Sequence, residues 1–292
     1  MIIGHIDIIN NLEKNINENN LLHAYIFSGT EGIGKKKVAF DFAKKIMCKN
    51  EKDELMFDNN NHPDFKYICE DEKNSIKIEQ IRELISDVNI KPVQSQYKVY
   101  IIDNAEKVTT QAQNALLKTL EEPSTFSIII LITSRYYELI DTIRSRATKV
   151  DFSNLSNDEI KQYINSNQIQ IDIQEDKLMY LIDGSIKNIY SIIDNKQVII
   201  LINEYIKKQN INIIELNKLS SVLVENKEKI NEILEYFIKL LNYEIVNNVK
   251  NIELINKYSN NIKVIEQTKK YINGNINFDI CIDYLIMHIW EE

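Results

Sequence analysis

Eight consecutive residues concentrate the chemistry of this chain: Gly29-Thr30-Glu31-Gly32-Ile33-Gly34-Lys35-Lys36. Three of its 6 glycines fall there, in the spacing G-x-x-x-x-G-K. Glycines let backbone N–H groups curl around a phosphate, a helix start adds positive potential, and Lys35 supplies a full charge. A plain glycine turn would carry the same letters. The context favours the phosphate reading, because an apolar run precedes the motif and a helical pattern follows it. A loop that handles a nucleotide with Mg²⁺ carries Ser or Thr after the lysine. Here Lys36 stands in that position, followed by Lys37. A protonated lysine cannot ligate a metal and its charge repels one. The pair could neutralise phosphate without metal or simply be solvated.

A second segment, Val99-Tyr100-Ile101-Ile102-Asp103-Asn104-Ala105-Glu106, looks like a Walker B strand. An apolar strand ending in Asp can bring a carboxylate to a metal. A base is expected directly after that Asp, but Asn104 is an amide and accepts no proton. Glu106 reaches back only by a different geometry. The metal hydroxyl and the base are therefore both missing. His62-Pro63-Asp64 reads as a proline-fixed turn with a polar cap rather than a catalytic dyad.

Positioning these groups requires a sheet. Runs of β-branched and aromatic residues at 24–28, 99–102 and 128–133, with a weaker one at 148–152, predict buried strands. Helical patterns at 35–48, 78–88 and 110–122 lie between them. This alternation is that of a parallel sheet covered on both faces. After Asp151 the texture changes. Ser156-Asn157-Asp158-Glu159 forms a capping box that opens a helix. Ile230, Ile233, Leu234, Phe237 and Leu241 keep helical spacing. The expectation is an α/β P-loop unit at 1–152, a small helical unit at 153–199 and an all-α unit at 200–292.

Composition agrees. Among 292 residues there are only 6 glycines and 3 prolines, too few for the turns of an all-β chain. A net charge of −8 argues against a domain that holds DNA by bulk positive charge. Cys48, Cys69 and Cys281 form neither a CxxC pair nor an even ladder, which predicts a reducing compartment. The longest apolar runs are far shorter than a membrane span, and the first residues lack a signal-peptide core, so a cytoplasmic protein is expected.

Several segments together carry a family resemblance: HAYIFSGTEGIGKKKVA (23–39), NHPDF (61–65), SIKIEQIREL (75–84), YKVYIIDNAEKV (97–108), AQNALLKTLEEPS (112–124), IIILITS (128–134) and TIRSRA (142–147). The chain resembles the bacterial clamp-loader family of AAA+ proteins, densely over 4–150, thinly at 153–200 and faintly beyond, where Asn273-Gly274-Asn275 is an echo. The resemblance implies a P-loop domain, a helical lid and a C-terminal helical collar. It also implies work in a five-membered complex with motor subunits (gamma/tau) and a delta subunit, acting on a sliding clamp and primed DNA. Because the metal and base positions are eroded, the expected role is non-hydrolysing.

The same resemblance implies roles for further residues. Arg146 in Ser145-Arg146-Ala147 would be an arginine finger offered in trans to a neighbouring ATPase, with Arg144 its near competitor. Thr133 falls at the sensor 1 position and Lys187 at sensor 2, where active relatives carry Arg. Gly29, Gly32, Gly34, Lys35, Lys36 and Asp103 would form a degenerate nucleotide site. Gln113, Asn114, Glu121 and Glu122 share one helix and could orient that site, face a neighbour, or cap and solvate the helix. Many P-loop relatives insert a four-cysteine zinc module after the first helix. Only Cys48 matches here, and Cys69 and His62 lack the spacing, so no zinc is expected. ATP binding without hydrolysis stays open. The competing functions are an active gamma/tau-type motor and a small-molecule P-loop kinase; both need the Mg²⁺ chemistry that is missing.

Overall fold

The computed structural model describes residues 2–71, 75–208, 211–274 and 276–290. The chain forms two compact units: Met1–Asn165 with Gly184–Lys187, and Ser166–Asp183 with Asn188–Glu292.

In the first unit five strands pair in parallel: β1 (Ala24–Ser28), β2 (Phe65–Ile68), β3 (Lys98–Ile102), β4 (Ser127–Thr133) and β5 (Thr148–Asp151). Their order is β2-β3-β4-β1-β5. Seven α-helices accompany them among the described residues: α1 (Ile6–Asn17), α2 (Lys35–Met47), α3 (Glu51–Asp58), α4 (Ile78–Asp87), α5 (Thr110–Glu121), the single turn α6 (Asp141–Arg144) and α7 (Asn157–Ser166). Side chains alternate across a strand, so an interior strand must be apolar on both faces. Tyr25, Phe27, Val99, Ile101, Ile130 and Ile132 pack on one face against Leu12 of α1 and Val38 and Phe42 of α2. Ile26, Tyr100, Ile102, Ile129 and Leu131 pack on the other against Ile81 and Leu84 of α4 and Leu116 and Leu120 of α5.

The expected strands are all present. β2 was not foreseen: it is an edge strand of four residues with Lys66 and Tyr67 only half buried, so its apolar signal is short. The expected capping box starts α7, with Ser156 N donating to Glu159 Oε2 (2.7 Å) and Glu159 N donating to Ser156 Oγ (3.3 Å). The His62-Pro63-Asp64 turn is structural. Asp64 is buried and accepts from Val93 N (2.7 Å), Gln94 N (2.8 Å) and Ser95 N (2.9 Å).

The remaining helices are α8 (Glu175–Ile182), α9 (Ile186–Asp194), α10 (Lys196–Ile206), α11 (Ile213–Glu225), α12 (Ile230–Asn247), α13 (Ile252–Asn273) and α14 (Phe278–Trp290). Ile230, Ile233, Leu234, Phe237 and Leu241 are all buried on α12, as their spacing predicts. Lys177, also buried, donates to Glu244 Oε1 and Asn203 Oδ1, both at 2.6 Å. Asn275 lies outside the described residues. Among the described residues no helix is long and apolar enough to cross a membrane.

Candidate functional site

Parallel strands gather their C-terminal ends on one edge of the sheet, where ligands of such folds bind. Ser28 of β1 pairs with Thr133 of β4, and Ile102 of β3 pairs with Leu131. Gly29, Asp103 and Thr133 therefore meet at that edge. The glycine loop leaves β1 there and enters α2 at Lys35.

Each carbonyl of the loop is engaged. Lys35 Nζ donates to Gly29 O (2.5 Å) and Thr30 O (2.6 Å). Ser185 Oγ donates to Glu31 O (2.8 Å), and Ile186 N donates to Gly32 O (3.0 Å). His5 Nε2 meets Ile33 O at 2.9 Å, and Val38 N donates to Gly34 O at 3.1 Å. With its carbonyls taken, what the loop offers a ligand is N–H groups, the property of an anion cradle. Burial pushes the Lys35 ammonium down, against the pull of Glu106, Glu31 and Asp103. Lys187 Nζ pairs with Glu31 Oε1 at 2.7 Å, which places Lys187 beside the loop.

The metal half of the site is different. Lys36 Nζ donates to Tyr67 Oη (2.5 Å) and lies 3.4 Å from Asp103 Oδ2. Tyr67 Oη in turn donates to that same Oδ2 at 2.7 Å. Burial, then the bond to Asp103, pushes the Tyr67 hydroxyl upward, so it stays protonated. Asp103 Oδ1 accepts from Asn104 N at 3.1 Å. An AAA+ fold implies a nucleotide with Mg²⁺. The donors here do not fit that metal: an ammonium stands where a hydroxyl is needed, and it lies 3.4 Å from the carboxylate that would share the ion.

The base position is spent as well. Asn104 Nδ2 donates to Glu70 Oε2 (3.1 Å). Glu106 Oε1 accepts from Ser134 Oγ (2.6 Å), while its Oε2 is buried without a hydrogen-bond partner among the described residues. Burial alone would raise the Glu106 carboxyl; bonds led by the Ser134 hydroxyl outweigh it and hold the group below its usual range. Thr133 is fully buried and its Oγ1 accepts from Arg135 N (3.0 Å).

Arg146 lies at the other edge. It precedes β5, whose first residue, Thr148, pairs with Tyr25 near the start of β1. The loop leaves from the far end of β1. The four steps from Tyr25 to Gly29 alone span roughly 13 Å at about 3.3 Å per residue. Arg146 therefore does not share a site with Gly29, Lys35 or Asp103. Its Nη2 pairs with Glu121 Oε1 (2.6 Å), its Nη1 donates to Thr142 O (2.9 Å), and a third of its side chain is exposed. Arg144 is more committed: it pairs with Asp141, donates Nε to Leu139 O (3.0 Å) and stacks beside the Tyr136 and Tyr137 rings.

Gln113 has a structural place, buried between Val108 O and Ile140 N. Asn114, Glu121 and Glu122 are exposed. Lys44 and Lys45 are neutralised by Asp58 and Glu54 and by Asp41 and Glu13, so they form no open basic patch. The sequence carried no mark of Tyr67 or His5 as members of the site. Tyr67 is one aromatic on an unforeseen strand, and only the β2–β3 pairing, Ile68 against Ile102, brings it to Asp103.

A parallel sheet of order β2-β3-β4-β1-β5 with a G-x-x-x-x-G-K loop leaving β1 defines an AAA+ P-loop protein. The chain belongs to the DNA polymerase III, delta subunit family, whose model matches residues 4–156. The resemblance to bacterial clamp loaders is thereby borne out. The chain is 35% identical over 152 residues to the DNA polymerase III subunit delta' of Bacillus subtilis, covering 49% of this chain and 46% of that one. It is 34% identical over 207 residues to the tau/gamma subunit of Haemophilus influenzae, covering 66% of this chain and 30% of that one. It is 26% identical to the gamma subunit of Buchnera aphidicola over 97% of this chain and 88% of that one. The chain thus spans less than half the length of two of these relatives. A gamma subunit-related protein of Thermotoga maritima shares the fold at TM-score 0.54 and 18% identity, over 95% of this chain and 98% of that one.

Proposed function

We propose that this chain is a non-hydrolysing, delta prime-type subunit of the DNA polymerase III clamp loader, and that it lends Arg146 to the ATPase site of a neighbouring subunit. The observation that carries this reading is the division of charge between the two edges of one sheet. At the C-terminal edge, Lys36 neutralises Asp103 and Asn104 replaces the base. At the opposite edge, Arg146 is partly exposed and out of reach of its own loop. A guanidinium at a neighbour's γ-phosphate stabilises charge that develops in the transition state.

On this reading the partners are motor subunits of gamma/tau type and a delta subunit in a hetero-pentamer, with the sliding clamp and primed DNA met through the complex. Residues 153–199 act as the lid and 200–292 as the collar that joins the subunits. The protein works in the cytoplasm. It carries no structural zinc. Burial, then the negative charge of Asp53, pushes the Cys48 thiol up to about 11, which opposes the deprotonation that zinc binding requires.

A gamma/tau-type motor is the second reading, favoured by the tau/gamma relatives and by the unpartnered Glu106 Oε2. The two separate on one assay. The isolated chain, mixed with clamp and primed DNA, is expected to hydrolyse no ATP above background. Stimulated turnover by the chain alone overturns the proposal in favour of the motor.

A further inference from the structure

The positions that share a metal in a working P-loop are the residue after the loop lysine and the aspartate that ends the neighbouring strand. In this chain those positions are joined directly, Lys36 Nζ to Asp103 Oδ2 at 3.4 Å, with Tyr67 bridging both. The ammonium also lies 4.3 Å from the centre of the Tyr67 ring, within cation–π range. Asp103 is engaged on both oxygens, Oδ2 by Lys36 and Tyr67 and Oδ1 by Asn104 N, so a metal there has to displace the ammonium. Beside this pair the loop keeps the features that receive anions: engaged carbonyls, a helix start and the Lys35 ammonium.

We propose that Lys36 is a resident cation in the divalent metal's place against Asp103, so that this loop takes the polyphosphate of a nucleoside triphosphate without metal. The loop lysine, Lys35, supplies one charge with or without a metal; Lys36 supplies a second where Mg²⁺ would bring two. Tyr67 fixes the direction of the second. A metal entering beside Asp103 meets a fixed positive charge and has to displace it. This inference rests on the reading of the loop as non-hydrolysing; it does not depend on Arg146.

The test is calorimetric titration of the full chain with ATP, once in EDTA and once in excess MgCl₂. Wild type is expected to bind as tightly in EDTA as in Mg²⁺, or more tightly. Lys36→Thr restores the hydroxyl and frees Asp103. It is expected to lose about tenfold in affinity in EDTA and to recover it on adding Mg²⁺. Bound Mn²⁺ should then appear by electron paramagnetic resonance in the variant with ATP and not in wild type. Should Lys36→Thr fail to fold, Lys36→Gln keeps the reach to Tyr67 without the charge, and the same loss in EDTA is expected. The inference is overturned if wild type binds only with Mg²⁺, if it binds no ATP at millimolar concentration, or if the variants match wild type in both buffers. None of these results touches turnover of the assembled loader, which tests the proposed function separately.

Discussion

A methyl group added at Gly32 should unfasten the phosphate loop from the segment Gly184–Lys187. Gly32 has φ +79°, and a Cβ there would sit 2.3 Å from Lys187 Cβ, 2.5 Å from Ser185 Oγ and 2.9 Å from Lys187 N. The left-handed backbone costs an alanine about 1–2 kcal/mol. The clash with backbone cannot be relieved by a rotamer, so the segment must withdraw. It then gives up the bonds from Ile186 N to Gly32 O (3.0 Å) and from Ser185 Oγ to Glu31 O (2.8 Å). At about 1 kcal/mol each, these bring the total for Gly32→Ala to roughly 3–4 kcal/mol. Gly34 is the control. Its φ is +108°, and a Cβ there meets nothing within 4 Å, so Gly34→Ala carries the conformational cost alone. At about 2–4 °C per kcal/mol for a unit of this size, the midpoints should fall by roughly 10 °C and roughly 4 °C. Scanning calorimetry measures both. Hydrogen exchange should show the Ile186 amide losing protection in Gly32→Ala and keeping it in Gly34→Ala. Equal shifts in the two variants, or an unmoved Ile186 amide, would refute the stitching of loop to segment.

Other perturbations have equally definite outcomes. Asp64→Asn replaces one of two accepting oxygens by an amide that faces N–H donors, and should cost about 3 kcal/mol in urea titration at neutral pH. Burial opposes the Asp64 charge, but the backbone N–H donors of Ser95, Val93 and Gln94 win and hold its carboxyl below the usual value. Its contribution is therefore full above about pH 4 and is lost as pH falls through the lowered value, so wild type and Asp64→Asn should converge in acid. Glu121→Ala breaks a half-exposed ion pair, worth at most about 1 kcal/mol. It should leave thermal stability nearly unchanged and the ATPase of an assembled loader within about fivefold, because so weak a pair readily releases Arg146. Lys177→Ala removes a buried ammonium and leaves the partly buried Glu244 without its cation, and denaturant unfolding should show a loss of about 3 kcal/mol.

Much of this molecule was legible in the residue order, for reasons that are physical. Interior strands such as 24–28 and 128–133 are apolar on both faces, so they stand out as unbroken runs. The glycine loop is marked by positions that need a bare backbone. The helix at Ser156 announces itself because its cap is made of adjacent residues. What escaped depends on contacts between distant parts of the chain. A four-residue edge strand whose two central residues, one on each face, are only half buried has a short apolar signal, and so β2 and Tyr67 went unseen. Lys36 offered two readings, phosphate neutraliser or solvated lysine. It is in fact paired with a carboxylate 67 positions away, and only the sheet order brings the two together. The opposite placement of Arg146 and the loop likewise follows from strand register, which spacing along the chain does not encode.

The most direct measurement is single-turnover ATP hydrolysis by a loader reconstituted with motor and delta subunits, with clamp and primed DNA present, comparing wild type and Arg146→Ala of this chain. A cation lent across the subunit boundary predicts a fall of about 10³-fold or more at the adjoining site, the scale of arginine fingers supplied in trans, with assembly of the complex unchanged. An Arg146→Ala loader that assembles and turns over at the wild-type rate would contradict the account.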